Sequence, residues 1–166
     1  MQSSTRISTK ALAEAAMLSA LALIFSYIEF LIPINIGFPG VKLGLANVVI
    51  VIAIYRLGWV NAFVINLVRI LLAALLFGNM FSAIYSLAGG ILSIAIMLLF
   101  KKTKLFSVIG VSMAGGVFHN LGQIIACAIL MQNVKAFLYF PVLLLFGVAA
   151  GVINGVISIL ILRKLK

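Results

Sequence analysis

The sequence has few of the residues on which catalysis and metal binding depend. Its 166 residues include no aspartate, and the only acidic residues are Glu14 and Glu29. These glutamates are fifteen positions apart, or about 22 Å along one helix, which is too far for a carboxylate pair. The single histidine, His119, and the single cysteine, Cys127, cannot form a zinc cluster, an internal disulfide or a CxxC motif. We therefore predict no catalytic site, no metal site and no cofactor.

Other motifs that carry function are missing as well. No GxxxxGK[ST] phosphate loop is present, which excludes ATP hydrolysis by that route. A pair of Ser86 or Ser93 with His119 has no orienting acid at its depth, so nucleophilic catalysis is disfavoured. The formal charge is +10, but the twelve basic residues are scattered at the ends of apolar runs, so nucleic acid is not a predicted partner.

Apolar residues dominate the chain. They account for 66% of it, whereas 8% of the residues are charged and the mean hydropathy is +1.37. A soluble domain has about a quarter of its residues charged. No polar segment is longer than the first ten residues. We predict a membrane protein in the lipid bilayer with a single domain, residues 1–166.

Six apolar runs predict an all-α bundle of six transmembrane helices, because helices satisfy their own backbone polar groups in lipid. The second run is short for a full crossing, and the first is too long for a cleaved signal peptide. Alternating the loops places nine basic residues inside and two, Lys42 and Lys135, outside, which predicts cytoplasmic termini. The predicted helices are residues 10–32, 43–55, 59–77, 80–100, 106–131 and 136–162.

A charged side chain lies in the third predicted helix. Arg69 is about ten residues into that helix, and Asn66 is one turn before it on the same face. A charge at this depth costs several kcal/mol or more and usually faces a cavity or a partner. With no acid expected at its depth, Arg69 is predicted to bind an anion. The alternative is that Arg69 bonds backbone carbonyls at a helix end or in a broken helix.

Polar side chains also interrupt the fifth predicted helix. His119 and Gln123 stand four positions apart and share a face with Gly115, while Asn120 lies on an adjoining face. We predict that this group lines a cavity in the outer half of the membrane, which Tyr85 and neighbouring small residues of the fourth helix also border. The alternative for each is a hydrogen bond between helices, which is common in lipid.

Small residues recur at helical spacing in two helices. Gly147, Gly151 and Gly155 form GxxxGxxxG, which predicts close helix approach, with an interhelical hydrogen bond at Asn154. The first helix carries small residues every four positions, which either pack within the bundle or dock another membrane protein. These residues are Ala11, Ala15, Ala16 and Ala20.

Three segments carry a family resemblance: FPGVKLGLANVV from Phe38, YSLAGGILS from Tyr85 and GVSMAGGVFHNLGQ from Gly110. They resemble the bacterial membrane family called heptaprenyl diphosphate synthase component I, also named the Gx transporter family. That family in turn is similar to the S components of energy-coupling factor transporters. Those are six-helix proteins that bind a ligand in their outer half and dock a coupling subunit through an AxxxA seam, while cytosolic ATPases drive transport.

The resemblance implies a location in the bacterial plasma membrane and a role as the substrate-binding subunit of an ATP-driven transporter. Its partners would be a small anionic or amphipathic molecule, such as an isoprenoid or quinone precursor, a transmembrane coupling subunit and two ATPases. The Pro- and Gly-rich residues 33–42 would form a lid. The four alanines of the first helix would form the coupling seam. The pocket would comprise Lys42, Asn47, Arg69, Tyr85, His119, Asn120 and Gln123.

The family name suggests a second role. The chain would be a non-catalytic membrane component that accompanies a heptaprenyl diphosphate synthase in menaquinone side-chain biosynthesis. Chemistry of that kind resembles an Asp-rich, magnesium-dependent reaction, and this chain has no aspartate. It would therefore be an accessory subunit at most.

Overall fold

A computed structural model describes residues 9–32 and 44–164 of the chain, and every regular element in this part is helical. The described residues thus confirm the predicted all-α class and the six helices. A 3-10 helix, Val134–Tyr139, precedes the last helix. The α-helices are α1, Thr9–Leu31; α2, Asn47–Arg56; α3, Trp59–Leu76; α4, Met80–Thr103; α5, Val108–Leu130; and α6, Phe140–Lys164.

The lengths of these helices show which of them are candidate membrane spans. In the described part of the chain, α1, α3, α4, α5 and the run Val134–Lys164 are long and apolar enough to cross a bilayer. The second helix, α2, has ten residues and is therefore about 15 Å long, half of a hydrocarbon core of about 30 Å. Five helices of the described part are therefore candidate membrane spans, and a sixth span at α2 stays a prediction.

Local capping explains where several helix ends differ from the prediction. Ser107 accepts a hydrogen bond from the Gly110 amide, so α5 begins at Val108 instead of residue 106. The Asn133 side chain accepts from the Lys135 amide and starts the 3-10 helix, which delays α6 to Phe140. The fourth helix continues past residue 100 to Thr103. Two lysines in its last turn stabilise this end, because their positive charges lie at the negative end of the helix dipole.

The short helix α2 lies at the centre of the bundle. Eight consecutive residues, from Asn47 to Ile54, are buried, and α2 packs against all five other α-helices. A helix that is apolar on every side is typical of such a central position. The first helix is peripheral, with two buried residues, Ala22 and Ser26, and it packs against α2 and α3. Helix α4 packs between α3 and α5, and α5 packs on α6.

Basic residues collect at one end of the bundle, which we call the basic end. Arg56, at the end of α2, pairs with Glu14 near the start of α1 at 3.3 Å. Lys101, near the end of α4, donates from Nζ to the carbonyl oxygen of Ile54 at 2.6 Å. The basic end therefore holds the start of α1 and the ends of α2 and α4. Its assignment to the cytoplasmic side stays a prediction.

Glycines allow α5 and α6 to approach each other closely, which confirms the predicted role of the GxxxGxxxG motif. A Cβ atom on Gly151 would lie 2.5 Å from Cα of Met113, and one on Gly155 would lie 2.7 Å from Cα of Ile109. Gly116 faces the backbone of Gly147 in the same way. The two helix backbones are in direct contact along this line, and a larger side chain would separate them.

We expect Gly116→Ala to lower the free energy of unfolding by about 1 to 3 kcal/mol, because the new methyl group overlaps the Gly147 backbone. Gly110→Ala is the matched control on the same helix, since its Cβ would lie 3.4 Å from the Phe106 side chain, an ordinary contact. Both variants share the gain in helix propensity, so unfolding in detergent isolates the steric cost. Equal stability of the two variants would contradict the close approach.

Candidate functional site

The guanidinium of Arg69 is buried inside the bundle, where polar side chains of two helices hold it. Its side chain is 4% exposed. One nitrogen, Nη2, donates to Oδ1 of Asn66 at 2.6 Å, and Nη1 donates to Oγ of Ser26 on α1 at 3.2 Å. The third nitrogen, Nε, has no hydrogen-bond partner among the described residues. The group is fixed in place, and its Nε–H is still available as a donor.

An acid does lie near Arg69, which corrects the expectation of none at its depth. Glu29 follows Ser26 by three positions on α1, hence on the same face, and it interacts electrostatically with Arg69. Its Oε1 also accepts the amide N–H of Leu45 at 2.7 Å. The sequence alone did not show that α1 would present this face to α3. The sequence feature that indicates this buried polar face is the pair Ser26 and Glu29, three positions apart in an otherwise apolar part of α1.

A narrow crevice lies beside Arg69 between α1, α3 and α4. It has room for about one water molecule. Three serine hydroxyls line it, from Ser26, Ser82 and Ser86, and the remaining walls are mostly aliphatic. The crevice therefore combines one cation with neutral hydrogen-bonding groups and an apolar wall.

His119 and Gln123 form a second polar group, on α5. Nε2 of Gln123 lies 3.2 Å from Nε2 of His119, so the amide donates when the imidazole proton is on Nδ1. The two side chains are 3% and 0% exposed, and Oε1 of Gln123 has no partner among the described residues. Gly89 of α4 permits this packing, because a Cβ there would lie 2.6 Å from the His119 carbonyl oxygen.

The segment before α2 brings backbone atoms to this second group. Gly44 has φ of 82°, a left-handed conformation that favours glycine, and a Cβ there would lie 3.8 Å from Cδ2 of His119. The same Cβ would lie 2.8 Å from Nδ2 of Asn47, so Asn47 belongs to this group. The Gly44 carbonyl accepts from Nδ2 of Asn154 on α6 at 2.9 Å. The sequence predicted a helix-linking role for Asn154, but not that it would hold this segment.

Two other predicted pocket residues point to different neighbours. Nδ2 of Asn120 donates to the carbonyl of Leu143 at 2.8 Å, which links α5 to α6. Tyr85 is buried among small side chains and packs in one cluster with Cys127. Lys42 and the predicted lid, residues 33–42, lie outside the described residues.

The predicted pocket residues therefore belong to two groups on either side of α4. Asn66, beside Arg69, packs against Gly90, whereas His119 and Gln123 pack against Gly89. Each group thus approaches the α4 backbone at one of two adjacent glycines. Asn47 and His119 both lie beside Gly44, whereas Arg69 lies with Ser26, Asn66 and Glu29.

The alanines of α1 divide between two environments. Ala15 packs against the central core, and Ala11 is half-buried. Ala16 and Ala20 are exposed on the outer side of α1. The predicted seam therefore contributes two residues to the bundle and presents two on its surface.

The chemistry of these groups favours binding. Among the described residues, no three His, Cys, Asp or Glu side chains lie close enough together to hold a metal ion. The side chains present are a buried cation with the Glu29 carboxylate near it, neutral amides, hydroxyls and an imidazole. Such groups can bind and orient an anion.

The family model described as heptaprenyl diphosphate synthase component I matches residues 18–161, which is most of the chain. No curated protein and no solved structure matches. The five apolar helices and this match identify a multi-pass membrane protein that belongs to the heptaprenyl diphosphate synthase component I family.

Proposed function

We propose that this protein binds a small anionic organic molecule inside the membrane, as the substrate-binding subunit of an ATP-driven uptake transporter. The observation that carries the proposal is Arg69, a cation buried in the bundle. Its two hydrogen-bond partners among the described residues, Ser26 and Asn66, are neutral. Burial of a charge in a membrane protein is costly and is typical of a functional site.

The negative charge of Glu29 compensates only part of the positive charge of Arg69. The Glu29 carboxylate is shared, because its Oε1 accepts the Leu45 amide. Nε of Arg69 still has a proton to donate, and the crevice beside it carries serine hydroxyls. A carboxylate or phosphate oxygen in the crevice would receive a charge-assisted hydrogen bond, which is stronger than a bond between neutral groups.

The walls of the crevice favour an amphipathic ligand. Ile70, Ala73 and Ala74 line it beside Arg69. An anionic head would therefore lie against the cation and a hydrocarbon portion against α3, as expected for an isoprenoid or quinone precursor. The crevice is narrow, so the ligand would open it by separating α3 and α4. Lys42 would add a second positive charge, and residues 33–42 would cover the bound molecule.

His119, Asn47 and Gln123 would act in the same process from the other side of α4. Asn47 and His119 lie beside Gly44, in the segment that leads into α2, and Gln123 is bonded to His119. That segment also contacts Glu29 through Leu45 and so reaches the Arg69 group. Ligand binding at Arg69 would change the position of Glu29 and of this segment, which His119 and Gln123 would support. Asn120 and Tyr85 would hold α5 against α6 and α4.

Transport would require partners, because the sequence has no phosphate loop of its own. The exposed Ala16 and Ala20 give α1 a flat outer surface, and small residues allow close approach between membrane helices. A transmembrane coupling subunit would dock there and connect the protein to ATPases at the basic end, which would be cytoplasmic.

The family name supports a second candidate function. A component I of heptaprenyl diphosphate synthase would accompany a soluble synthase at the membrane and retain its isoprenoid substrate or product. The absence of aspartate means that the partner would supply the magnesium site. Uptake that stops without ATP would favour the transporter, and co-purification with a prenyl synthase would favour the accessory role.

We expect Arg69→Met to reduce the anionic small molecule that co-purifies with the protein by about tenfold or more, because a charge-assisted contact is lost. Mass spectrometry of extracts from purified protein measures the amount. Arg56→Met is the matched control, because Arg56 is bonded to Glu14 at the surface of the basic end. Equal retention by the two variants would remove Arg69 from the site.

A second substitution tests the same site without changing the hydrogen bonds of Arg69. Ala74→Leu places a larger side chain in the wall of the crevice. We expect it to displace the bound molecule while gel filtration shows an intact protein. A full complement of ligand in Ala74→Leu would mean that the molecule binds elsewhere.

The proposed docking of a coupling subunit at α1 can be tested at Ala16 and Ala20. The double substitution Ala16→Leu and Ala20→Leu adds bulk to the exposed face and should abolish co-purification with a coupling subunit. Ala149→Leu on α6 is the control, since Ala149 is an exposed alanine on another helix. A complex that survives the double substitution would show that the coupling subunit binds a different surface.

A further inference from the structure

A second concave surface lies at the basic end, far from the Arg69 crevice. It is a groove of about 710 Å³ between the start of α3 and the last turns of α4. Its lining includes three lysines and no acidic side chain. Trp59, Leu98 and Leu99 form much of its apolar wall, and Lys101, Lys102 and Lys104 form its charged rim.

The three lysines have different roles. Lys101 is fixed by its hydrogen bond to the Ile54 carbonyl, and its Nζ lies 4.6 Å from the centre of the Tyr55 ring. It therefore joins the ends of α2 and α4 and forms a rigid positive wall. Lys102 and Lys104 are exposed. Lys104 has φ of 57°, the left-handed conformation that ends α4 and turns the chain towards α5.

The apolar part of the groove is open towards the surface of the bundle. Trp59 is 61% exposed and Leu99 is 56% exposed. Tryptophan is enriched at the boundary between hydrocarbon and head groups. The groove thus places hydrocarbon-binding side chains beside exposed ammonium groups at the depth where a lipid has its own apolar chain and phosphate.

We propose that this groove binds one anionic phospholipid from the leaflet at the basic end. The phosphate lies between Lys102 and Lys104, with Lys101 behind it, and an acyl chain lies along Leu98, Leu99 and Trp59. Charge complementarity supports this occupant, because Glu14, the acid placed at the basic end, is bonded to Arg56 instead. A bound lipid would cover the junction between α2, α3 and α4 without using the Arg69 crevice.

Native mass spectrometry of the intact chain in detergent tests this site, with dioleoylphosphatidylglycerol and dioleoylphosphatidylcholine as probes. The anionic lipid should bind at least tenfold more tightly than the zwitterionic one. A basic residue near an anionic lipid surface contributes about fivefold to affinity. The double substitution Lys102→Gln and Lys104→Gln should therefore weaken phosphatidylglycerol binding by about twentyfold to thirtyfold.

The matched control makes the same change in charge away from the groove. Lys10→Gln and Lys164→Gln lie in α1 and α6, and they should leave the affinity within about twofold. Equal loss in both double variants, or no preference for the anionic lipid, would overturn the proposal. Trp59→Ala keeps all three lysines and should also weaken binding, so the test does not depend on one variant.

A competition experiment shows whether the phosphate in the groove belongs to a phospholipid or to an isoprenyl diphosphate. Geranyl diphosphate, added to the complex with phosphatidylglycerol, should fail to displace the lipid at equimolar concentration. Displacement would overturn the phospholipid assignment and indicate an isoprenyl diphosphate site at the basic end. Because Arg69→Met leaves the groove intact, loss of ligand in that variant with unchanged lipid affinity separates the two sites.

Discussion

The rest of the structure depends on how the backbone just before α2 is satisfied inside the bundle. The first residues of α2 are buried, so its first peptide groups lie among other helices, where an unsatisfied polar group costs several kcal/mol. Glu29 accepts the Leu45 amide, and Asn154 donates to the Gly44 carbonyl. Helices from opposite ends of the sequence therefore hold one segment, which fixes α2 at the centre.

This constraint also explains why polar residues cluster where they do. The carboxylate that holds Leu45 also acts on Arg69, and the glycine bonded to Asn154 lies beside His119. The two polar groups meet α4 at adjacent glycines, where the absence of side chains lets α3 and α5 approach the same helix. A ligand that changes the charge balance at Arg69 would thus act on the segment before α2 through a short chain of contacts.

The two ends of the bundle have different chemistry. At the basic end, α2 and α4 terminate together, and Lys101 satisfies a carbonyl that has no partner within α2. The lysines beyond it are left at the surface next to exposed Trp59 and leucines. The interior cation, in contrast, is bonded on two sides and borders a narrow crevice. A lipid and an anionic substrate would therefore be bound by different means in one small protein.

The sequence by itself determined the membrane class, five of the long helices and the close approach of another helix to the glycines of α6, because apolar run length and glycine spacing act locally. It also identified Arg69 and His119 as unusual, since polar side chains are rare in such runs. Only the tertiary structure decided that these residues lie on opposite sides of α4, that Glu29 reaches Arg69 and that α2 begins inside the bundle. Those outcomes depend on which helix faces meet, and hydrophobic periodicity carries little information on that in helices that are apolar all round.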